Sequence, residues 1–351
     1  MNEQFSADPL LVETIDRLLA GVCSADEIEQ AEQTGWSSAV WNSLAEAGFP
    51  WVSVPLEAGG SGGTLADAMA ILYGVGAHAA PAPVAETGVL AGWLLAGAGL
   101  SLPSGPATVV ADCDALTLVD GRLTGTATVA WAQQCERIVA LVANGDADAA
   151  GYVVVSVNPT QLEVSSGRSL AGEPRDLVQL DVRLSEVEFG STTVSPADLL
   201  QRGALTRVVM AAGALNTIAQ MTVGYTSDRQ QFGKPVASFQ AVQQHLVTVA
   251  QSAVRVNIAA QSAARAVARG NAGIHVAAAK VVSDQAIIAG TRAAHQAHGA
   301  MGVTREYPLH RFTRRLWAWQ HEYGSAAFWR RQLGQQAQTA GADDLFPLIT
   351  R

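Results

Sequence analysis

An arginine and an aromatic residue stand beside a glycine turn in residues 225–240, between two long helices with apolar periodicity. Gly233 and Pro235 interrupt the helical pattern, which predicts that one helix ends here and that the chain turns. Arg229 would then lie near the C-terminal end of its helix, where the macrodipole also favours a cation. The simpler interpretation is that Arg229 caps its helix and that Phe232 plugs the core behind it.

Two long helices must position this segment. Before it, apolar residues recur at helical spacing over residues 205–219, so one face of that helix is predicted to be buried. After it, residues 240–268 are rich in Ala, Val and Gln and again predict a helix. A second group follows in residues 296–311, which begins with Gln296 and contains Gly299 and Gly302.

Both segments resemble the acyl-CoA dehydrogenase family. Residues 229–240 follow the family pattern R-x-x-F-G-x-x-[apolar]-x-x-[FH]-Q. Residues 296–308 follow Q-x-x-G-G-x-G-[apolar]-x-x-E-x-P, with Ala300 in place of the second glycine. The glycine-rich residues 48–63 resemble a passage of the family's N-terminal helical domain; they lack the lysine of a phosphate-binding loop, so a tight irregular connection is expected. The resemblance covers most of the chain, and the two later motifs occur in the family's order.

The resemblance implies an enzyme that uses FAD to oxidise an acyl-CoA thioester to its 2,3-enoyl form. In family members a carboxylate removes the α-proton while the β-hydrogen leaves as a hydride to the flavin. The implied partners are the acyl-CoA substrate, an electron-transfer acceptor and another acyl-CoA dehydrogenase subunit in a homo- or hetero-oligomer.

Five residues match or stand near family positions that contact FAD. Arg229 and Phe232 match positions that reach across a dimer interface to the FAD of the neighbouring subunit. Gln296 and Gly299 match positions near the adenosine half of that same FAD. Trp131 is implied to cover the flavin, although it stands two residues later than in the family pattern.

The resemblance also implies where the acyl-CoA pocket and the catalytic base lie. Thr206 and Arg207 resemble the start of the helix beside the pocket, and Thr206 occupies the place where one family branch carries its base. The other branch has a glutamate just before a Gly-Thr pair late in the last domain. An ungapped count from Pro308 puts that position on Tyr323, one residue after Glu322. Glu322 is therefore the predicted base, and a solvated glutamate at a helix end is the alternative.

Composition excludes several classes of protein. The chain has 351 residues, 49% of them hydrophobic and 15% charged, which predicts two or three domains with well-buried cores. A formal net charge of −9 argues against nucleic acid or an anionic membrane as a partner. Three cysteines without a CxxC pair, and His295 with His298 without a carboxylate or cysteine nearby in sequence, predict no metal site. No signal peptide or membrane-spanning run is recognisable, so a cytoplasmic protein is expected.

The distribution of apolar residues predicts an α+β multidomain protein. Residues 1–103 predict an N-terminal helical domain. Residues 104–194 contain β-rich runs separated by Gly, Asp, Asn and Pro, which predicts a small β-barrel or sandwich with a hairpin turn at Asp120 and Gly121. Residues 195–351 return to long helices, which predict a C-terminal four-helix bundle. Helix, sheet, helix is the domain order of the acyl-CoA dehydrogenase fold.

Three hypotheses about function follow. The middle domain lacks the family's E-x-x-x-G-S-D segment, for which only residues 111–114 stand in. Together with the displaced base, this favours a short bacterial subunit of an α2β2 enzyme that completes its partner's FAD site, as in sterol side-chain breakdown. The second hypothesis is a self-sufficient homo-oligomeric dehydrogenase that uses Glu322. The third is a non-catalytic, flavin-free binding or scaffold subunit, and a flavin monooxygenase of the same fold is a lesser alternative.

Overall fold

The structure is a computed structural model that describes residues 4–144, 151–270 and 272–350. The chain divides into two compact units. One, here called the β unit, comprises Ser6–Ile71 and Ala80–Gly203. The other, here called the bundle unit, comprises Met1–Phe5, Leu72–Ala79 and Ala204–Arg351. The boundaries predicted at residues 103 and 194 remain predictions.

The β unit begins with helices whose first turns are capped by polar side chains. These are α1 (Pro9–Val22), α2 (Ala25–Thr34) and α3 (Ser38–Glu46), and the start of α4 (Leu65–Ala77) follows. Asp8, Ser24 and Ser37 each accept a backbone N–H of the helix that follows, which satisfies a donor that the helix itself leaves unpaired. Residues 48–63 form short 3-10 turns, as the expected tight connection requires. A Cβ on Gly60 would lie 2.1 Å from the Val54 carbonyl oxygen, so only glycine fits there.

A buried π-helix follows these helices. It spans Ala85–Gly92 and continues directly into α5 (Trp93–Gly97). All eight π-helical residues are buried. π-helical turns are rare and occur frequently at functional sites.

Two four-stranded sheets form the rest of the β unit. The strands are β1 (Ala107–Val109), β2 (Leu116–Val119), β3 (Arg122–Ala130), β4 (Arg137–Ala143), β5 (Tyr152–Val157), β6 (Glu163–Ser165), β7 (Arg175–Arg183) and β8 (Glu188–Thr192). Their orders are β1-β4-β5-β8 and β2-β3-β7-β6, and only β1 and β4 pair in parallel. Apolar side chains from both sheets share one core, which includes Leu123, Ile138, Val155 and Leu180. The predicted β-rich region is thus confirmed.

The hairpin turn predicted at Asp120 and Gly121 joins β2 to β3. Both residues have positive φ angles, 49° and 69°, which suits the right-handed twist of the flanking strands. Strands β6 and β8 carry a weak apolar pattern, because neither has a fully buried residue.

The bundle unit contains the long helices. They are α6 (Pro196–Asp228, whose first residues belong to the β unit), α7 (Gln240–Ala268), α8 (Gly273–His298), α9 (Leu309–Trp319) and α10 (Ala326–Thr350). The apolar stripe predicted on α6 is buried at Leu205, Val208 and Leu215. Together with the two sheets of the β unit, these helices confirm the predicted α+β fold class. No helix within the described ranges is both long and apolar enough to cross a bilayer.

Two glycines let α4 and α6 pack with their backbones in contact. A Cβ on Gly76 would lie 2.0 Å from the Met210 carbonyl oxygen, and a Cβ on Gly213 would lie 2.1 Å from that of Tyr73. The Thr217 hydroxyl also donates to the Ala77 carbonyl at 2.8 Å. This contact fixes the part of α6 that follows Thr206 and Arg207.

Candidate active site

The predicted turn after α6 is a tight hairpin. Helix α6 ends at Asp228, and the Arg229 amide still donates to the Tyr225 carbonyl at 2.9 Å. Strand β9 (Gln230–Gln231) then pairs antiparallel with β10 (Lys234–Pro235). The prediction that a helix ends here and the chain turns is confirmed. Arg229 lies where the helix gives way to the hairpin, so its charge stands near the negative end of the macrodipole.

Phe232 lies at the tip of this hairpin and is 92% exposed. The interpretation that it plugs the core is wrong, because Phe232 and Gly233 occupy the turn with φ angles of 54° and 78°. The only ring that Phe232 meets is the edge of Phe239, at 6.1 Å between centroids, among the described residues. A bulky side chain is rarely held at positive φ without a functional reason. An exposed aromatic in this strained position is therefore a candidate contact for a partner or ligand.

Arg229 borders a groove of about 440 Å³. The lining residues are Met221, Gly224, Tyr225, Asp228, Arg229 and Tyr307. Within the described ranges the Arg229 guanidinium forms no ion pair, so its charge is available to a ligand. The groove thus combines a free cation with two aromatic side chains.

A buried histidine supports the aromatic wall of this groove. The His298 ring stacks on Tyr225 at 4.6 Å between centroids and contacts Tyr307 at 4.7 Å. Its Nδ1 bonds to the Ala294 carbonyl at 2.8 Å, and its Nε2 is buried with no partner in the described structure. Burial lowers the pKa of His298 below its usual value, so the ring is neutral near pH 7. A neutral ring packs against two tyrosines without burying a charge.

His298 and His295 do not form a metal site with other residues. The Nδ1 atom of His295 bonds to the Gly302 carbonyl at 2.8 Å. In the described part of the chain, no three His, Cys, Asp or Glu side chains are grouped where they could hold a metal.

Gln296 and Gly299 lie at a second location in the bundle unit. A groove of about 760 Å³ runs between α7 and α8, lined by His245, Thr248, Gln285, Ile288, Ala289, Arg292, Ala293 and Gln296. Gly299 follows at the C-terminal end of α8 with a φ of 61°. Gln296 and Arg229 therefore line different grooves of one unit. Their roles in FAD binding remain predictions.

Glu322, the predicted base, forms a partly buried ion pair with Arg207. Its Oε2 accepts from Nε of Arg207 at 2.6 Å, with side-chain exposures of 19% for Glu322 and 3% for Arg207. The alternative of a solvated glutamate is wrong, because the turn after α9 directs this side chain inward. The structure thus brings together two stretches that the sequence assigned to the acyl-CoA pocket. The catalytic role of Glu322 remains a prediction.

Side-chain contacts hold this turn in a strained backbone conformation. Tyr323 and Gly324 follow Glu322 with φ angles of 52° and 91°. The Trp329 indole N–H donates to the Tyr323 carbonyl at 3.0 Å, and a Cβ on Gly324 would lie 2.7 Å from that nitrogen. The Tyr323 ring packs over the Arg207 guanidinium at 5.1 Å. The ungapped base position is therefore occupied by a tyrosine that stacks on Arg207.

Lys280 also stabilises this turn, and nothing in the local sequence marks it. Its side chain is buried, and its Nζ donates to the carbonyls of Glu322 at 2.8 Å and Gln320 at 3.1 Å, with Trp319 farther away at 3.5 Å. These carbonyls lie at and just after the end of α9, where backbone carbonyls have no acceptor role within the helix. Burial lowers the pKa of Lys280 to about 8.

Lys280→Met is expected to change how stability depends on pH. Because the folded-state pKa of Lys280 lies below its unfolded value, the unfolded chain binds more protons between these two pKa values. The wild type should therefore gain about 2 kcal/mol in free energy of unfolding relative to Lys280→Met between about pH 7 and about pH 9.5. Urea denaturation at several pH values measures this difference. Lys234→Met, which removes an exposed lysine, is the matched control, and a difference that stays constant with pH would refute the prediction.

Thr206 and Trp131 are both buried. The Thr206 hydroxyl oxygen lies 3.4 Å from Nη1 of Arg207. Trp131 belongs to the β unit, is 3% exposed and has a φ of 58°. Its indole has little surface free for a ligand, and its contact with flavin remains a prediction.

Comparison with known proteins identifies the class. The profile of the acyl-CoA dehydrogenase C-terminal domain matches residues 195–338. The acyl-CoA dehydrogenase IpdE2 of Mycolicibacterium smegmatis is 28% identical over 317 residues, covering 87% of this chain and 91% of IpdE2. A chain of the ChsE4-ChsE5 complex from Mycobacterium tuberculosis superposes with a TM-score of 0.87 at 23% identity, covering 97% and 100% of the two chains. PigA with FAD and proline superposes with a TM-score of 0.81 at 17% identity, covering 97% and 99%.

The fold is that of the acyl-CoA dehydrogenases, as in butyryl-CoA dehydrogenase from Megasphaera elsdenii, which superposes with a TM-score of 0.79 at 16% identity. Residues 195–338 match the C-terminal domain of the acyl-CoA dehydrogenase family, and most of the chain is similar to bacterial acyl-CoA dehydrogenases.

Proposed function

We propose that this chain serves in the FAD-dependent α,β-dehydrogenation of an acyl-CoA thioester, as the subunit that completes the FAD site of a partner. The hairpin that carries Arg229 and Phe232 supports this proposal. It presents an unpaired cation and a 92% exposed aromatic away from the core of its own unit. A side chain so exposed and so strained gains most when another chain or ligand covers it.

The residues around the hairpin fit FAD. The guanidinium of Arg229 matches a pyrophosphate, which accepts two parallel hydrogen bonds. Tyr225 and Tyr307 supply aromatic faces beside it. The groove with Gln296 and Arg292 supplies amide and guanidinium donors for the polar edges of a nucleotide. When bound, FAD supplies the acceptor for the hydride that leaves the β-carbon of the substrate.

The state of Glu322 supports a partner-supplied base. A carboxylate that accepts from a buried guanidinium at 2.6 Å must give up that ion pair before it can remove a proton. Giving up this ion pair costs free energy, which would add to the barrier for proton abstraction. Arg207 and Glu322 act, in this view, to hold the turn before α10 in place, while the partner's carboxylate removes the α-proton.

A self-sufficient dehydrogenase that uses Glu322 is the second candidate. One observation favours it: the structure places Glu322 against Arg207 and so beside the implied acyl-CoA pocket. In that case Arg207 would hold the carboxylate until substrate arrives. The third candidate, a flavin-free scaffold subunit, has no such support.

The assembly and its substrate belong to the same proposal. ChsE4 and ChsE5 form a complex of two different chains, and this supports a hetero-oligomer with another acyl-CoA dehydrogenase subunit. The substrate class that the family resemblance suggests is a CoA thioester of a sterol side chain. Electrons would pass from the flavin to an electron-transfer acceptor in the cytoplasm.

Phe232→Ala in the co-expressed complex tests the proposal. Since Phe232 is 92% exposed, its removal should leave the stability of the isolated chain unchanged. Loss of a buried aromatic at an interface should weaken flavin retention about tenfold or more. The measurement is the flavin-to-protein absorbance ratio after gel filtration. Leu56→Ala, which truncates another exposed apolar side chain, is the control; equal flavin content in both variants would argue against a site formed by the hairpin.

A further inference from the structure

The β unit holds a cation that the dehydrogenation chemistry does not use. Arg202, in the β-unit part of α6, donates from Nε to the Val89 carbonyl at 2.7 Å. Its guanidinium carbon lies 4.5 Å from the centroid of the Trp93 ring. Val89 and Trp93 come from the π-helix and from α5 directly after it. Three parts of the β unit thus fix the position and the plane of one guanidinium.

This guanidinium has no anionic partner in the described structure. Arg202 forms no ion pair, and neither Nη1 nor Nη2 forms a hydrogen bond with a described residue. Part of the side chain remains accessible, yet burial lowers the pKa of Arg202 to about 10. A cation removed from water costs free energy unless an anion compensates it. The fold therefore keeps a pre-oriented but uncompensated charge.

The geometry defines what would compensate it. Because Nε is used by Val89, the free edge of the guanidinium is the end that carries Nη1 and Nη2. That edge suits an oxyanion that presents two oxygens, as a carboxylate or a phosphate does. Stacking on Trp93 fixes the plane of the Arg202 guanidinium, so little side-chain entropy is lost when an anion binds. The surrounding π-helix is buried, which favours a small ligand over a surface contact.

We propose that Arg202 is an oxyanion-binding residue that recognises an acidic group of the CoA-thioester ligand, either a carboxylate on its acyl part or a phosphate of CoA. This inference rests on the proposed function, because it takes the ligand to be a CoA thioester. It adds a specificity determinant: a carboxylate at the far end of the acyl chain would be selected over an apolar end of the same length.

Calorimetric titration of the co-expressed complex tests this assignment. The probes are glutaryl-CoA, pentanoyl-CoA and CoA, of which the first two share an acyl chain length and differ in the terminal carboxylate. For a carboxylate site, the wild type should bind glutaryl-CoA about tenfold or more tightly than pentanoyl-CoA, and Arg202→Met should remove that difference. For a phosphate site, Arg202→Met should weaken all three probes by the same factor. Either result supports an oxyanion site, and the two patterns distinguish an acyl carboxylate from a CoA phosphate as the bound group.

Two further variants complete the test. Arg202→Lys keeps a cation but cannot form two parallel bonds, so it should lose most of the selectivity, and it carries the test if Arg202→Met fails to fold. Arg17→Met, which removes an exposed arginine paired with Glu13, should bind like the wild type. The assignment is overturned if Arg202→Met binds all probes like the wild type, or if no probe binds to a flavin-loaded complex. Flavin content, measured in parallel, reports separately on the proposed function.

Discussion

Arg229→Ala is expected to strip FAD from the assembled complex without destabilising the chain itself. Arg229 has no ion pair in the described structure and lies on the surface. The free energy of unfolding of the chain should therefore change by less than about 0.5 kcal/mol in Arg229→Ala. Loss of a bidentate, charge-assisted contact to a pyrophosphate should cost about 3 kcal/mol, or about a hundredfold in FAD affinity. Equilibrium dialysis of the complex against FAD measures the affinity.

Two variants separate charge from geometry in this experiment. Arg229→Lys keeps the positive charge but cannot form two parallel hydrogen bonds to the pyrophosphate. The FAD affinity of this variant should therefore fall between those of the wild type and Arg229→Ala. Arg255→Ala removes an exposed arginine from α7 and serves as the matched control. If Arg229→Ala retained flavin as well as Arg255→Ala does, the role of Arg229 would have to be abandoned.

Glu322→Gln is expected to destabilise the chain by about 3 kcal/mol, because it removes the carboxylate that pairs with the buried Arg207 guanidinium at 2.6 Å. The partial exposure of Glu322 places this value at the low end of the range for buried pairs. Turnover per bound flavin should nevertheless persist in the complex, since the proposal assigns the base to the partner. Thermal unfolding of the chain and anaerobic flavin bleaching by an acyl-CoA are the two measurements.

A double-mutant cycle isolates the ion pair. Arg207→Met alone should also destabilise, whereas Arg207→Met combined with Glu322→Met should recover much of the loss, because no unpaired charge remains buried. Glu29→Gln, on the surface of α2, is the control for loss of a carboxylate. If the Glu322→Gln complex folds normally but its flavin is no longer bleached by an acyl-CoA, the partner-base proposal is contradicted and the self-sufficient enzyme is favoured.

Local chemistry explains what the sequence predicts correctly. The turn after α6 follows from Gly233 and Pro235, and the β2–β3 turn follows from Asp120 and Gly121, since these residues restrict the backbone where they stand. The direction of the Phe232 side chain does not follow in this way. It depends on a positive φ angle, which phenylalanine rarely adopts. Without that angle, an aromatic residue beside a helix end is expected to pack into the core.

The contacts that decide the candidate site depend on tertiary structure. Arg207 and Glu322 are 115 residues apart, and Lys280 reaches carbonyls about 40 positions away along the chain. No periodicity or spacing relates such positions, so only the packed helices show that the predicted base is paired. Arg202 gives no sequence signal either, because its isolation results from the burial of Val89 and the placement of Trp93.

The visible absorbance of the purified chain, alone and co-expressed with an acyl-CoA dehydrogenase partner, separates a half-site subunit from a self-sufficient enzyme. We expect a colourless chain alone and a yellow complex, because the hairpin that carries Arg229 and Phe232 completes a flavin site that this chain does not hold by itself. A chain that is yellow when purified alone, with flavin in every subunit, would refute the proposed half-site role and make Glu322 in a homo-oligomer the better hypothesis.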